Sequence, residues 1–79
     1  MNYIQYMSRD PQICAGELVI KGTRVTVRTI LASLAEGASM GEILTDFPSL
    51  TESQVRAVIA FAAVSAEEDL PMAETPKVA

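Results

Sequence analysis

The stretch Gly16-Glu17-Leu18-Val19-Ile20-Lys21-Gly22-Thr23-Arg24-Val25-Thr26-Val27 organises the reading of the chain. Val19 and Ile20 lead into Lys21-Gly22-Thr23, and Arg24 to Val27 lead out with the period-two alternation of a half-buried strand, so the stretch predicts a hairpin. Gly22 supplies the turn position that needs positive φ, where a Cβ would clash. Lys21, Arg24 and Arg28 lie on or just beyond the turn, half of the 6 cations in the chain.

Outward from the hairpin, Asn2 to Met7 contains Tyr3, Ile4 and Tyr6, a β-compatible run expected to add an edge strand. Ser8-Arg9-Asp10-Pro11 is expected to break it, with Asp10 forming a turn by bonding the nearby backbone. On the other side, Val27, Ile30, Leu31 and Leu34 share one helical stripe, and Gly37 falls where a left-handed C-terminal cap belongs. A first helix over 27–36 follows. Ser39 and Glu42 have capping-box spacing, and Ile43, Leu44 and Phe47 continue an apolar face until Pro48, which predicts a second helix over 40–46.

Thr51 and Gln54 repeat the box, with Leu50 and Val55 placed as a hydrophobic staple, so the start of a third helix is well specified. Val55, Val58, Ile59, Ala62 and Ala66 have the spacing of a buried stripe. Ala57, Ala60, Phe61, Ala63 and Val64 are apolar too, leaving this helix hydrophobic nearly all round. Phe61 and Val64 are therefore expected to contact another chain, a homodimer partner or a different protein. From Glu67 the composition changes to Glu67-Glu68-Asp69, followed by Pro71 and Pro76 among small and polar residues. The expectation is a single domain over 1–66 and an acidic, flexible tail over 67–79, with Leu70 and Met72 as apolar anchors on a partner.

Composition bounds the function. With 79 residues the chain supports one domain with a thin core. Its single Cys14 excludes an internal disulfide and is expected to be a small buried apolar side chain. No signal sequence or bilayer-length apolar run is present, so a cytoplasmic protein is expected, without a membrane partner. Residues 1–35 carry four cations against two acids, and residues 36–79 two cations against eight acids, which together give the net charge of −4. An acidic total opposes loose, charge-driven binding of nucleic acid; only the front half offers an anion-attracting face.

Catalysis has little to work with. The chain has 0 histidines, and Ser8, Ser33 and Ser39 lack an activating partner. Glu36, Glu42, Asp46 and Glu52 read as helix-end and first-turn carboxylates rather than as metal ligands. No enzyme activity, catalytic residue, metal or cofactor is expected. Two short helices before a longer capped one fit a homeodomain-like or helix-turn-helix trihelical unit, in which Ser53, Gln54 and Arg56 at the start of the third helix are candidate DNA contacts. Lys21, Arg24 and Arg28 offer a second route to DNA, through phosphates. The structural alternative is that these cations only protect an exposed edge from pairing.

Asp10-Pro11, Ile13-Cys14, Gly16 and Val19-Ile20-Lys21-Gly22-Thr23-Arg24-Val25, continued by Ile30-Leu31, Gly37-Ala38-Ser39, Glu42-Ile43-Leu44 and Phe47-Pro48-Ser49-Leu50-Thr51, form an ordered string over roughly residues 3–63. It resembles the bacterial family known as domain of unknown function 433. That family usually has Gly-x-Pro where this chain has Gly16-Glu17-Leu18. The resemblance implies a homeodomain-like or winged-helix-like trihelical unit, preceded here by the short hairpin. It also implies a place among antitoxins of type II toxin–antitoxin pairs, whose usual neighbour is a PIN-like ribonuclease toxin.

The expected function is therefore an antitoxin-like protein that binds and neutralises such a toxin and regulates its own operon by binding DNA. Phe61, Val64, Glu67, Glu68, Asp69, Leu70 and Met72 are the expected partner contacts, the acids competing with RNA for a basic active-site mouth. The alternative is a sequence-specific DNA-binding regulator without a toxin.

Overall fold

A computed structural model describes residues 2–69 of the chain. The fold is mainly helical: strands β1 (Met7–Arg9) and β2 (Leu18–Ile20) precede helices α1 (Val27–Ala35), α2 (Met40–Asp46) and α3 (Glu52–Asp69). The strands pair antiparallel, Met7 with Ile20, Ser8 with Val19 and Arg9 with Leu18.

The N-terminal run corrects the expected edge strand. Tyr3–Tyr6 forms a 3-10 turn, closed where the Met7 N–H donates to the Ile4 carbonyl, and the strand comes after it, over residues expected to break it. The turn is held by tertiary packing, because the Tyr3 ring meets Phe61 of α3 edge to face at 5.9 Å. Between the strands, the Gln12 N–H donates to Asp10 Oδ1 at 2.9 Å, which is the turn expected of Asp10. Cys14 and Ala15 then take left-handed φ of 50° and 56°, followed by Gly16 at 83°. Cys14 is half-buried, not buried as expected, and its thiol donates to the Arg24 carbonyl at 3.3 Å. That contact ties this loop to the next one.

The turn after β2 has the expected glycine geometry, with Gly22 at φ +82° and the Thr23 hydroxyl donating to the Ile20 carbonyl at 2.7 Å. The second arm of the expected hairpin does not form a strand. It makes a single bridge, Val19 with Thr26, and Thr26 turns instead to cap α1, its side chain accepting the Thr29 N–H at 3.1 Å. Capping wins because Thr26 Oγ1 satisfies an otherwise orphaned helix N–H, which a third strand arm would leave unmet.

Helices α1 and α2 match the expected spans to within a residue. Gly37 at φ +99° follows the α1 C-cap Glu36, as a left-handed terminator should. Both halves of the Ser39–Glu42 capping box are made. So are those of the next box: the Gln54 N–H donates to Thr51 Oγ1 at 3.2 Å and the Thr51 N–H to Gln54 Oε1 at 2.8 Å.

Ile20, Ile30, Ile43, Val19, Val55 and Val58 are fully buried, drawn from β2 and all three helices. Burying such a side chain contributes about 1.5–3 kcal/mol, so each is a sizeable share of a small domain's stability. The buried stripe of α3 is rotated from the expected one: Val55, Ala57 and Val58 are buried, whereas Ile59 is 44% exposed and Ala66 is exposed. The helix also runs past the expected domain boundary at residue 66, through Glu67, Glu68 and Asp69. Alanine and glutamate are good helix formers, and no glycine or proline intervenes before Pro71.

Candidate functional site

The turn between β2 and α1 sets out the basic residues. Lys21 and Arg24 flank Gly22, are exposed, and form no ion pair among the described residues. Arg28, one helical step further, contacts Glu17 Oε2 at 3.2 Å. Both side chains of that pair are well exposed, so it contributes no more than about 1 kcal/mol, but it offsets the Arg28 charge where phosphate would bind. Of the expected basic triplet, two of the three cations are thus without an ion-pair partner among the described residues.

The start of α3 is arranged differently from a base-reading surface. Gln54 is half-buried and its side-chain carbonyl accepts the Thr51 N–H, closing the capping box. Arg56 donates from Nε and one terminal nitrogen to Glu52 Oε2, at 2.9 and 2.6 Å. Ser53 is exposed. Of the three expected contacts on this helix, two are engaged within it.

Farther along α3 the outward stripe is Ile59, Ala63, Ala66 and Glu67, all exposed. Its inner neighbours Phe61 and Val64 are half-buried, and Phe61 packs on Tyr3 of its own chain. Ile59, read from the sequence as a core residue, is the one the fold presents. Glu68 and Asp69 lie in the last turn of α3; Leu70 and Met72 lie outside the described residues. Ile4, 69% exposed, is a second apolar residue that the sequence reading did not single out. Its place between Tyr3 and Tyr6 was the available signal.

The carboxylates of the middle region line a shallow hollow of about 260 Å³ with Glu36, Glu42 and Asp46 on its wall. Glu42 is occupied there: its Oε1 accepts the Ser39 backbone N–H at 2.8 Å, and hydrogen bonds from the Ser39 backbone and then its side chain hold the Glu42 pKa below the usual carboxylate value. Among the described residues no group of three or more His, Cys, Asp or Glu is placed to hold a metal. No helix among them is long and apolar enough to cross a membrane.

These features define a small, mainly helical domain with a two-stranded antiparallel sheet, a basic turn between β2 and α1 and an apolar-to-acidic stripe on its last helix. Comparison with known proteins places it further. The chain belongs to the family described as protein of unknown function (DUF433), whose model matches residues 7–62. It is 36% identical over 52 residues to the uncharacterized protein y4eO of Sinorhizobium fredii (strain NBRC 101917 / NGR234). The match takes in 66% of this chain but 24% of that protein, so the chain corresponds to about a quarter of its curated relative. Among solved structures it is similar to a DUF433 member from Anabaena variabilis ATCC 29413, determined at 2.00 Å resolution. The TM-score is 0.71 at 30% identity, over 85% of this chain and 70% of the other.

Proposed function

We propose that the protein is an antitoxin-like component of a type II toxin–antitoxin pair that acts as a homodimer, binding and silencing a PIN-like ribonuclease through the outer face of α3. The observation that carries this reading is the stripe Ile59, Ala63, Ala66 and Glu67: an exposed apolar surface that becomes acidic toward the helix end. Apolar side chains there gain from burial against a partner, and the acids that follow suit the basic mouth of an enzyme that must attract RNA. In this reading the three helices are a homeodomain-like or winged-helix-like trihelical unit.

The test begins in the adjacent reading frame, where a small nuclease with a cluster of acids is expected. Co-expression should yield a complex in which ribonuclease activity is suppressed. Ile59→Glu should release that activity while leaving the circular dichroism spectrum unchanged, because Ile59 is not a core residue. Full inhibition by this variant excludes the face.

A second reading, a sequence-specific DNA-binding regulator without a toxin, is favoured by Lys21 and Arg24, whose charges no acid among the described residues offsets. The self-contained polar groups of α3 make these two, rather than Gln54 and Arg56, the proposed phosphate contacts. A gel shift on the upstream region at several salt concentrations separates the readings. Absence of a nuclease gene together with a salt-dependent shift supports the regulator.

A further inference from the structure

A hollow of about 370 Å³ lies beside β1, walled by Met7, Ser8 and Arg9 in succession, by Leu18 of β2, by Tyr3 and Ile4 of the preceding turn, and by Phe61 of α3. Successive residues of a strand point to opposite faces, so Met7 and Arg9 share one face with Leu18, the cross-strand partner of Arg9, and the hollow opens over that face beside β1. The sheet has only two strands, and the edge of β1 away from β2 has no strand beside it.

The hydrogen-bond phase shows which groups that edge presents. The Lys21 N–H donates to the Tyr6 carbonyl at 2.8 Å, and the register places Ser8 opposite Val19. By antiparallel alternation Tyr6 and Ser8 turn their backbone groups toward β2, and Met7 and Arg9 turn theirs away. The Met7 N–H is taken by Ile4. That leaves the Met7 carbonyl and both backbone groups of Arg9 directed away from β2, at the unpaired edge of the strand.

We propose that this edge takes an extended segment of a partner protein as a third strand, with an apolar side chain over Ile4 and Phe61 and a carboxylate opposite Arg9. Strand addition of this kind draws its affinity from main-chain hydrogen bonds and its specificity from alternate side chains. Charge selects the occupant. Arg9 is exposed, donates to the Gly16 carbonyl at 3.1 Å and forms no ion pair among the described residues. A second copy of β1 is the poorer occupant: pairing about Ser8 sets each Arg9 opposite Met7 of the other copy, and neither strand brings a carboxylate to meet it. This interface lies apart from the outer stripe of α3 and does not rest on the toxin reading.

The probe is a capped peptide, Val-Thr-Glu-Thr-Val-Thr, whose valines at positions 1 and 5 share a face with the glutamate, titrated into the ¹⁵N-labelled full chain. It is compared with the same peptide carrying Lys in place of Glu, and with one N-methylated at alternate amides. The glutamate peptide should shift the amides of Ile4 and of Met7 to Arg9. The lysine peptide should bind about three- to fivefold more weakly, the range expected for one cross-strand charge pair, and the N-methylated one should not bind. Arg9→Glu should reverse the preference; should that variant not fold, the comparison between peptides on the native chain decides. The proposal is overturned by unshifted Met7 to Arg9 amides at millimolar peptide or by equal binding of the two charged peptides. It is equally overturned by concentration-dependent shifts of those amides without peptide, which would assign the edge to a second copy.

Discussion

At the scale of single residues, the Glu42 carboxylate shows how a local hydrogen bond becomes a pH dependence. Donation from the Ser39 backbone and side chain favours the ionised form, so the folded pKa lies below the unfolded one. The linkage sign follows: stability from this group is fully present above the unfolded pKa and is lost as pH falls through the folded pKa. A carbon-detected NMR titration should find Glu42 titrating below the usual carboxylate value, and Ser39→Ala should move it only part of the way back, since the backbone donor remains. Gly22 supplies a second test. A Cβ there meets nothing within 4 Å, so Gly22→Ala carries only the backbone penalty of φ +82°, about 1–2 kcal/mol, measurable by urea unfolding. Positions of this kind were legible in the sequence because glycine is the residue that left-handed geometry selects. Cys14 and Ala15 take the same geometry without it, and nothing in their side chains announced that.

At the scale of elements, what was legible is what local chemistry dictates. Each capping box read from Ser39–Glu42 and Thr51–Gln54 is made, because the partners are three residues apart and need no tertiary contact. Thr51→Ala should therefore cost about 1 kcal/mol, seen as a lower urea midpoint at unchanged slope. What failed needed distant information. Val25 and Val27 alternate like a strand, but this arm keeps only the Val19–Thr26 bridge to the other edge of β2 before Thr26 turns to cap α1.

The inward face of α3 likewise depends on where Tyr3 packs, and an all-round apolar sequence leaves that rotation open. The assignment made by the fold can be tested by contrast. Ile30→Ala, at a fully buried site, should cost about 2–5 kcal/mol in chemical denaturation, whereas Ile59→Ala at the surface should stay within about 0.5 kcal/mol. Equal effects would mean that α3 is turned the other way.

For the whole molecule, the separation of charge between the two halves of the chain puts cations on the turn from β2 into α1 and acids in the last turn of α3. The acids at the end of α3 continue the helix instead of opening a tail, so removal of 70–79 and removal of 67–79 are distinct experiments. In the toxin reading the second deletion should weaken inhibition more than the first; retained inhibition at equal stoichiometry after removal of 67–79 would take the acidic segment out of the mechanism. At the basic turn, the sequence showed where Lys21, Arg24 and Arg28 fall but not that Glu17, eleven residues from Arg28, reaches it.

That pairing changes the expected DNA response. Lys21 and Arg24 should carry the phosphate contacts, and each contact removed should flatten the dependence of log affinity on log salt by about 0.9. The double variant Lys21→Gln with Arg24→Gln should lower the slope by about 1.8 per bound chain, while Arg28→Gln or Arg56→Gln should change it much less. An unchanged slope in the double variant, measured by anisotropy on the upstream region, would remove the basic turn from any role on DNA and leave its cations the simpler task of keeping an exposed loop solvated.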